Sequence, residues 1–197
     1  MRWDNLFDDL ESQLEGELRA DEAELRVEEE RLRLARLSLR DRLLALSSPG
    51  EDLLSVRILL HSGRPVDLLP VTVGRDWVSG RVIGDAGARG HGIVPFSAVQ
   101  GLVLSRAQVA LSAGEAGGAE GLSARLGLGY VLRDLARRRC ALEIALVAGG
   151  TVHGTIDRVA RDHLDLAVHE PGVPRREREV SHYRLIPLSA IELVRTG

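Results

Sequence analysis

The chain has 197 residues, of which 44% are hydrophobic and 28% charged, and its formal net charge is -3. These values are typical of a folded globular protein and exclude a largely disordered chain. No apolar run reaches the roughly 18 residues of a membrane span, and the acidic start lacks the basic residues of a signal peptide. We therefore expect a cytoplasmic protein without membrane contact. The single cysteine, Cys140, excludes an internal disulfide and a multi-cysteine metal site.

Residues 1–47 are predicted to form an N-terminal amphipathic helix. Residues 4–46 contain no proline and a single glycine, and they are rich in leucine, glutamate, arginine and alanine. Leucines recur at seven-residue intervals at Leu18, Leu25, Leu32, Leu39 and Leu46. A possible companion row contains Glu22, Glu29 and Arg36 instead of apolar residues. Two interpretations therefore stay open, a dimeric coiled coil and a helix that packs on its own domain.

The start of this helix has an apolar face. Trp3, Leu6, Phe7 and Leu10 follow i, i+3, i+4, i+7 spacing, which places four large apolar side chains on one side. A face of this kind is typical of a helix that docks in a partner's groove. The alternative is that it packs on the same chain or on a second copy. We predict these four residues as a partner-binding site.

An internal repeat follows the helix-ending segment SSPG at 47–50, where the hydrophobic pattern changes to two-residue alternation. Residues 56–78 align with residues 142–164 without a gap at an offset of 86. The similarity resumes at an offset of 92, where Pro95 corresponds to Pro187. Each copy predicts five short strands. Five such strands cannot bury both faces of an open sheet, so we expect each copy to curl into a small barrel.

The second copy contains the pattern L-x-x-G-x-x-x-x-G from Leu146, an Arg-Asp pair at 161–162, an alternating strand and the closing run IPLSAIELV. This pattern resembles the small SH3-like β-barrels and is most similar to Sm-like proteins over 122–194, with a weaker likeness over 55–103. The resemblance implies RNA binding and assembly into rings through edge strands. That family uses a loop of Asp, an aromatic residue or His, a hydrophobic residue and Asn, together with an Arg-Gly pair in the last loop. Asp162, His163 and Leu164 fit the first loop, and Asp165 replaces its Asn. Pro187-Leu188 stand where the Arg-Gly pair is expected.

The predicted fold class is therefore α+β: a long N-terminal helix followed by two tandem small SH3-like or Sm-like β-barrels, the second preceded by a helix. We place the first barrel at 51–111, a Gly-rich linker at 112–121, and the helix with the second barrel at 122–197.

Histidine and aspartate side chains on two predicted strands raise the hypothesis of a divalent-metal site. They are His153 and Asp157 on one strand and His163, Asp165 and His169 on the next. The alternating leucines beside them favour a simpler interpretation, the solvated outer face of the sheet. No G-x-S-x-G or H-E-x-x-H motif occurs. We predict no metal, cofactor, catalytic residue or small-molecule substrate.

The basic residues are concentrated in the C-terminal part. Residues 1–47 carry 8 arginines against 13 carboxylates, residues 48–120 carry 6 against 7, and residues 121–197 carry 12 against 9. This distribution lacks the strong overall basic field of a sequence-independent nucleic-acid binder but permits a local patch. The candidate nucleic-acid contacts are Arg137, Arg138, Arg139, Arg161, His163, Arg175, Arg176 and Arg178.

These patterns predict a non-catalytic interaction or assembly module that docks partners through the N-terminal helix and the barrel surfaces, within a transcription or RNA-associated complex. Self-association through the helix, the barrel edges or both is expected. The alternative is a direct RNA- or DNA-binding Sm-like protein that uses the basic face of the second barrel.

Overall fold

The computed structural model describes residues 4–47, 54–84, 90–114 and 121–197, with the side chains of 4–18 and 20 outside that description. The chain divides into two compact units, Met1–Ser38 and Leu39–Gly197. Among the described residues, no helix combines the length and apolar character needed to span a bilayer.

Helix α1 spans Asp4–Ala35 in the first unit. Ion pairs between residues three or four positions apart lie along it, including Arg26 with Glu22 and Arg33 with Glu30. Such pairs are weakly stabilising on an exposed helix. Two leucines of the predicted heptad in α1 have described side chains, Leu25 and Leu32, and both are exposed.

The predicted helix through residue 46 is interrupted after Ala35. A separate helix, α2, spans Leu39–Leu46 and belongs to the second unit. Leu43 and Leu46 of α2 are buried in the first hydrophobic core of that unit. The predicted heptad leucines are therefore divided between two helices, and the last of them, Leu46, packs in this core.

In its described residues, the second unit contains two further α-helices and ten strands. Helix α3 spans Arg106–Ala113 and α4 spans Leu128–Arg137. The strands are β1 Val56–Leu60, β2 Pro65–Val73, β3 Trp77–Ile83, β4 His91–Pro95, β5 Val99–Val103, β6 Ala141–Leu146, β7 Thr151–Val159, β8 His163–Val168, β9 His182–Pro187 and β10 Ile191–Thr196.

The prediction of two tandem closed barrels is wrong. All ten strands form one continuous antiparallel sheet in the order β5-β1-β2-β3-β4-β10-β6-β7-β8-β9. The fourth strand of the first copy pairs with the last strand of the second copy, so the two copies share a joint at the middle of the sheet. In a closed barrel, these edges of β4 and β10 would instead pair with strands of their own copy.

The internal repeat is nevertheless visible in the details of strand pairing. Strands β1–β5 and β6–β10 have the same order within each half of the sheet. An irregularity between Pro70 and Thr72 in the β2–β3 pair recurs between Ile156 and Arg158 in the β7–β8 pair, at the offset of 86. The turn between the first two strands of each half also recurs. Its glycines, Gly63 and Gly149, have φ angles of 80° and 89°, a conformation that favours glycine.

Two hydrophobic cores lie under the two halves of the sheet, and each contains side chains from the other half. The first core includes Ala145 and Leu193 from the second copy. The second core includes Trp77 and Ile93 from the first copy, together with the fully buried Leu132 of α4. Because side chains cross the joint in both directions, the two halves pack as one body.

Candidate functional site

The joint between the two halves is formed by β4 and β10. Val194 pairs with Ile93, Arg195 with Gly92, and Thr196 with His91. Ile93 is 3% exposed and Val194 is fully buried, so the joint excludes water from its apolar residues.

A buried carboxylate reinforces this joint. Glu192 of β10 is 1% exposed, and its two carboxylate oxygens accept hydrogen bonds from the backbone N–H of Ser62 at 2.7 Å and from the Ser62 hydroxyl at 2.8 Å. A buried carboxylate is costly unless such donors satisfy it. Ser62 lies in the turn between β1 and β2, so the contact ties the last strand of one copy to the first hairpin of the other.

The outer edges of the sheet are β5 and β9. Within the described sheet, β5 pairs only with β1 and β9 pairs only with β8. Exposed apolar side chains lie on both edges, with Val103 on β5 49% exposed and Leu185 on β9 65% exposed. Tyr183 on β9 is also half exposed, and its hydroxyl donates to Glu177 at 3.3 Å. Unpaired strand edges with apolar side chains are sites for pairing with another chain.

Five of the eight candidate nucleic-acid residues have carboxylate partners. Those pairs are Arg137 and Arg138 with Asp134, His163 with Asp162, Arg175 with Asp157, and Arg178 with Glu179. The hydrogen bond from His163 lowers the pKa of Asp162, and the hydrogen bonds to Asp157 raise the pKa of Arg175. Much of the predicted basic surface is therefore locally neutralised. Arg139, Arg161 and Arg176 have no ion-pair partner within the described part of the chain.

A different basic feature lies where α4 begins. Arg75, Arg133 and Arg161 line a cleft of 480 Å³ together with Tyr130, whose side chain is 55% exposed. Asp76 also lines the cleft. One of its oxygens accepts from the Leu128 backbone N–H at 2.7 Å, and the other lies 3.6 Å from Arg75.

Sequence reasoning identified Arg161 but missed Arg75, Arg133 and Tyr130 as members of one cleft. The Arg-Asp pair at 75–76 recurs at 161–162, and this repetition was the available signal.

The cleft forms because the start of α4 is attached to the first half of the sheet. Both the backbone N–H of Arg75 and the indole N–H of Trp77 donate to the carbonyl of Leu126, at 3.1 Å and 2.9 Å.

One histidine of the metal hypothesis, His169, is placed differently from the predicted solvated face. His169 is buried, and its Nε2 lies 2.9 Å from the Thr155 hydroxyl. Its Nδ1 lies 3.1 Å from the Glu170 carbonyl, which can only accept, so Nδ1 carries the proton. His153 packs edge-on against the His169 ring, with ring centroids 5.2 Å apart. In the described part of the chain, no three His, Cys, Asp or Glu side chains form a group that could hold a metal ion.

The predicted docking face of the N-terminal helix stays a prediction. Trp3 lies outside the described residues. Leu6, Phe7 and Leu10 lie in α1, and their side chains are outside the description.

No family model, curated protein or solved structure matches this chain. The resemblance to Sm-like proteins therefore depends on the residue pattern of the second copy.

Proposed function

We propose that this chain is a non-catalytic assembly module of the cytoplasm that binds protein partners by strand addition at the two outer edges of its sheet. The observation that carries the proposal is a comparison of equivalent residues. Leu185 on β9 occupies the position that Ile93 occupies on β4, at the offset of 92. Ile93 is 3% exposed in the central joint, whereas Leu185 is 65% exposed.

Strand addition gives affinity through backbone hydrogen bonds and specificity through alternate side chains. Both requirements are met at β9, where the outer backbone groups have no neighbouring strand in the described sheet and Tyr183 and Leu185 lie two residues apart. The apolar face at Trp3, Leu6, Phe7 and Leu10 is a second predicted docking site for a partner in a transcription or RNA-associated complex.

Affinity capture from native cells, with and without nuclease, tests the proposal. Tagged wild-type chain is compared with Leu185→Glu on β9, Val103→Glu on β5 and a control, Val71→Glu. Val71 is an exposed residue of β2, a strand with neighbours on both sides. We expect specific protein partners to be lost from the two edge variants and kept by the control. Identical partners on all four chains would contradict the proposal.

The cleft beside α4 supports a second candidate function, binding of single-stranded nucleic acid. Arg133 and Arg161 have no carboxylate partner among the described residues and can contact phosphates, whereas Arg75 is paired with Asp76. The exposed Tyr130 can stack on a base. In this form of the nucleic-acid hypothesis, the contacts are made by residues of the cleft instead of by the ion-paired arginines of the predicted basic surface.

Fluorescence anisotropy with single-stranded RNA and DNA oligonucleotides tests this candidate. Arg133→Ala and Arg161→Ala should each weaken binding and reduce the slope of log K against log salt by roughly 0.7. Tyr130→Ala should weaken binding without changing that slope. Arg176→Ala is the matched control, because Arg176 is an arginine outside the cleft without an ion-pair partner among the described residues. Equal losses in all four variants would place the contact elsewhere.

A further inference from the structure

We propose that a cavity between α4 and the centre of the sheet binds a small carboxylic acid with an apolar body. The cavity has a volume of 670 Å³, within the range of about 300–1,000 Å³ that is typical of small-molecule sites. Among the described residues, it shares no lining residue with the cleft at the start of α4, and no residue of β5 or β9 lines it. The inference therefore goes beyond the proposed function and does not depend on it.

The floor of the cavity contains a buried hydroxyl in apolar surroundings. Ser79 of β3 is 4% exposed, and it pairs with Ile93 of β4, which also lines the cavity. Trp77, two residues before Ser79, is a third buried member of the floor. Within the described part of the chain, the Ser79 hydroxyl makes no hydrogen bond. Because a buried hydroxyl is costly without a partner, a ligand that brings a polar atom to Ser79 gains a hydrogen bond that the chain itself does not supply.

One stripe of α4 forms the wall of the cavity. Leu132 of α4 is fully buried in the second core, and it fixes the helix to the second half of the sheet. A neighbouring face of the helix overlies β3 and β4 across the cavity. Four residues of this face line the cavity, and they follow i, i+3, i+4, i+7 spacing: Val131, Asp134, Leu135 and Arg138. The wall therefore combines two apolar side chains with an ion pair.

The cavity depends on a difference between the two copies of the repeat. At the offset of 86, Asp165 corresponds to Ser79, and at the offset of 92, Leu185 corresponds to Ile93. Asp165 and Leu185 also pair, but Leu185 is exposed, so no helix of the described chain covers it as α4 covers Ile93. A serine at the covered position suits an anionic ligand, whereas the carboxylate of its exposed counterpart would repel one.

The charges of the wall favour an anion. Arg137 and Arg138 both pair with Asp134, so these three groups carry one excess positive charge. The Nε of Arg138 lies 2.7 Å from Asp134, and the guanidinium has further N–H groups that can contact a ligand carboxylate. The apolar body of the ligand would then pack on Val131 and Leu135. A carboxylic acid with an apolar chain or ring meets both requirements.

Cys140 supplies a reporter inside the cavity. It lines the cavity, it is partly buried, and it is the single cysteine of the chain, so its alkylation by iodoacetamide reports on this place alone. The rate of alkylation of the full chain is measured against increasing octanoate and against 1-octanol, its uncharged counterpart. We expect both to slow the reaction in a saturable way. Half-saturation should need a roughly 2- to 5-fold lower concentration of octanoate, the range given by an exposed ion pair.

Substitutions locate the site. Ser79→Leu fills the floor and should abolish the protection of Cys140, whereas Ser79→Ala keeps the space, removes the hydroxyl and should weaken both ligands. Arg138→Ala should remove the difference between octanoate and octanol. Arg176→Ala is the matched control and should keep that difference, because Arg176 lies in the loop between β8 and β9 and does not line the cavity. The edge variant Leu185→Glu should also behave as the wild type. Thermal unfolding verifies that each variant is folded.

Three results would overturn the inference. One is alkylation of Cys140 that neither octanoate nor octanol slows. The second is equal half-saturation by the two compounds in the wild type, which excludes an anion site. The third is undiminished protection in a folded Ser79→Leu variant, which would place the ligand elsewhere. The capture experiment on the strand edges is unaffected by any of these results, so the proposed function stands or fails separately.

Discussion

Glu192 and Ser62 are joined by two hydrogen bonds, although 130 residues separate them in the sequence. The contact links the two copies of the internal repeat, since Ser62 belongs to the first copy and Glu192 to the second. Because Glu192 is buried, loss of either donor leaves part of a carboxylate without compensation.

Ser62→Ala is expected to lower the free energy of unfolding by about 1.5–3 kcal/mol, because it removes a hydrogen bond to a buried charged group. Urea unfolding at neutral pH measures the change. Gln100→Ala is the matched control, since Gln100 occupies the equivalent position on an exposed edge, and its effect should stay within about 0.5 kcal/mol. Equal effects of the two substitutions would show that the central contact contributes nothing particular to stability.

The second prediction concerns the close approach of β2 and β3 at Gly80. A Cβ added at Gly80 of β3 would overlap the carbonyl oxygen of Leu69 on β2, which is backbone and cannot turn aside. Gly80→Ala should therefore destabilise the chain by about 1–3 kcal/mol, the usual range for overpacking. Gly101→Ala is the control, because a Cβ at Gly101 meets no atom within 4 Å. Thermal unfolding compares them, and a similar melting temperature for both variants would contradict the prediction.

The strand pattern of this chain was predictable from its sequence, but the way the strands join was not. Two-residue alternation and the offsets of 86 and 92 identify the ten strands and the equivalence of the two copies. The same pattern is compatible with a strand edge that closes a barrel and with one that pairs with the other copy. The distinction depends on which residues lie across the joint, and a local period contains no information about that.

Two side chains illustrate what sequence reasoning could and could not identify at the candidate sites. Glu192 interrupts the apolar run IELV, which was a signal of a special contact, but its partner Ser62 is in the other copy. Arg175 was predicted to contact nucleic acid because it lies in a run of arginines. Its partner, Asp157, is 18 residues away on β7, and only the folded chain brings the two together.

The cross-strand pair of Arg57 and Asp67 predicts a pH dependence of stability. Arg57 donates to both oxygens of Asp67, at 2.8 Å and 2.9 Å, and this hydrogen bonding lowers the pKa of Asp67 below its ordinary value. A carboxyl whose pKa is lowered by folding contributes stability above its unfolded pKa, and that contribution is lost as the pH falls through the folded value.

Asp67→Asn should therefore destabilise the chain most at neutral pH and least in strong acid. Because the pair is partly exposed, the difference at neutral pH should be below about 1 kcal/mol and should shrink at high salt. Urea unfolding of both chains across the acid range measures it. A difference between the chains that does not vary with pH would contradict the assignment.

The ion pair of Arg175 with Asp157 gives the last prediction, which separates a structural role from nucleic-acid contact. Its two hydrogen bonds measure 2.8 Å and 2.6 Å, and the side chains of Arg175 and Asp157 are 19% and 29% exposed. Asp157 thus holds the loop between β8 and β9 against β7.

Arg175→Ala and Asp157→Ala should each lower the free energy of unfolding by about 1–3 kcal/mol. The double variant should cost less than the sum of the single ones, because the two residues act as a pair. Arg176→Ala, one position along the same loop, should leave stability within about 0.5 kcal/mol of the wild type. If instead Arg175→Ala weakens oligonucleotide binding and leaves unfolding unchanged, Arg175 is a nucleic-acid contact, and the structural assignment is wrong.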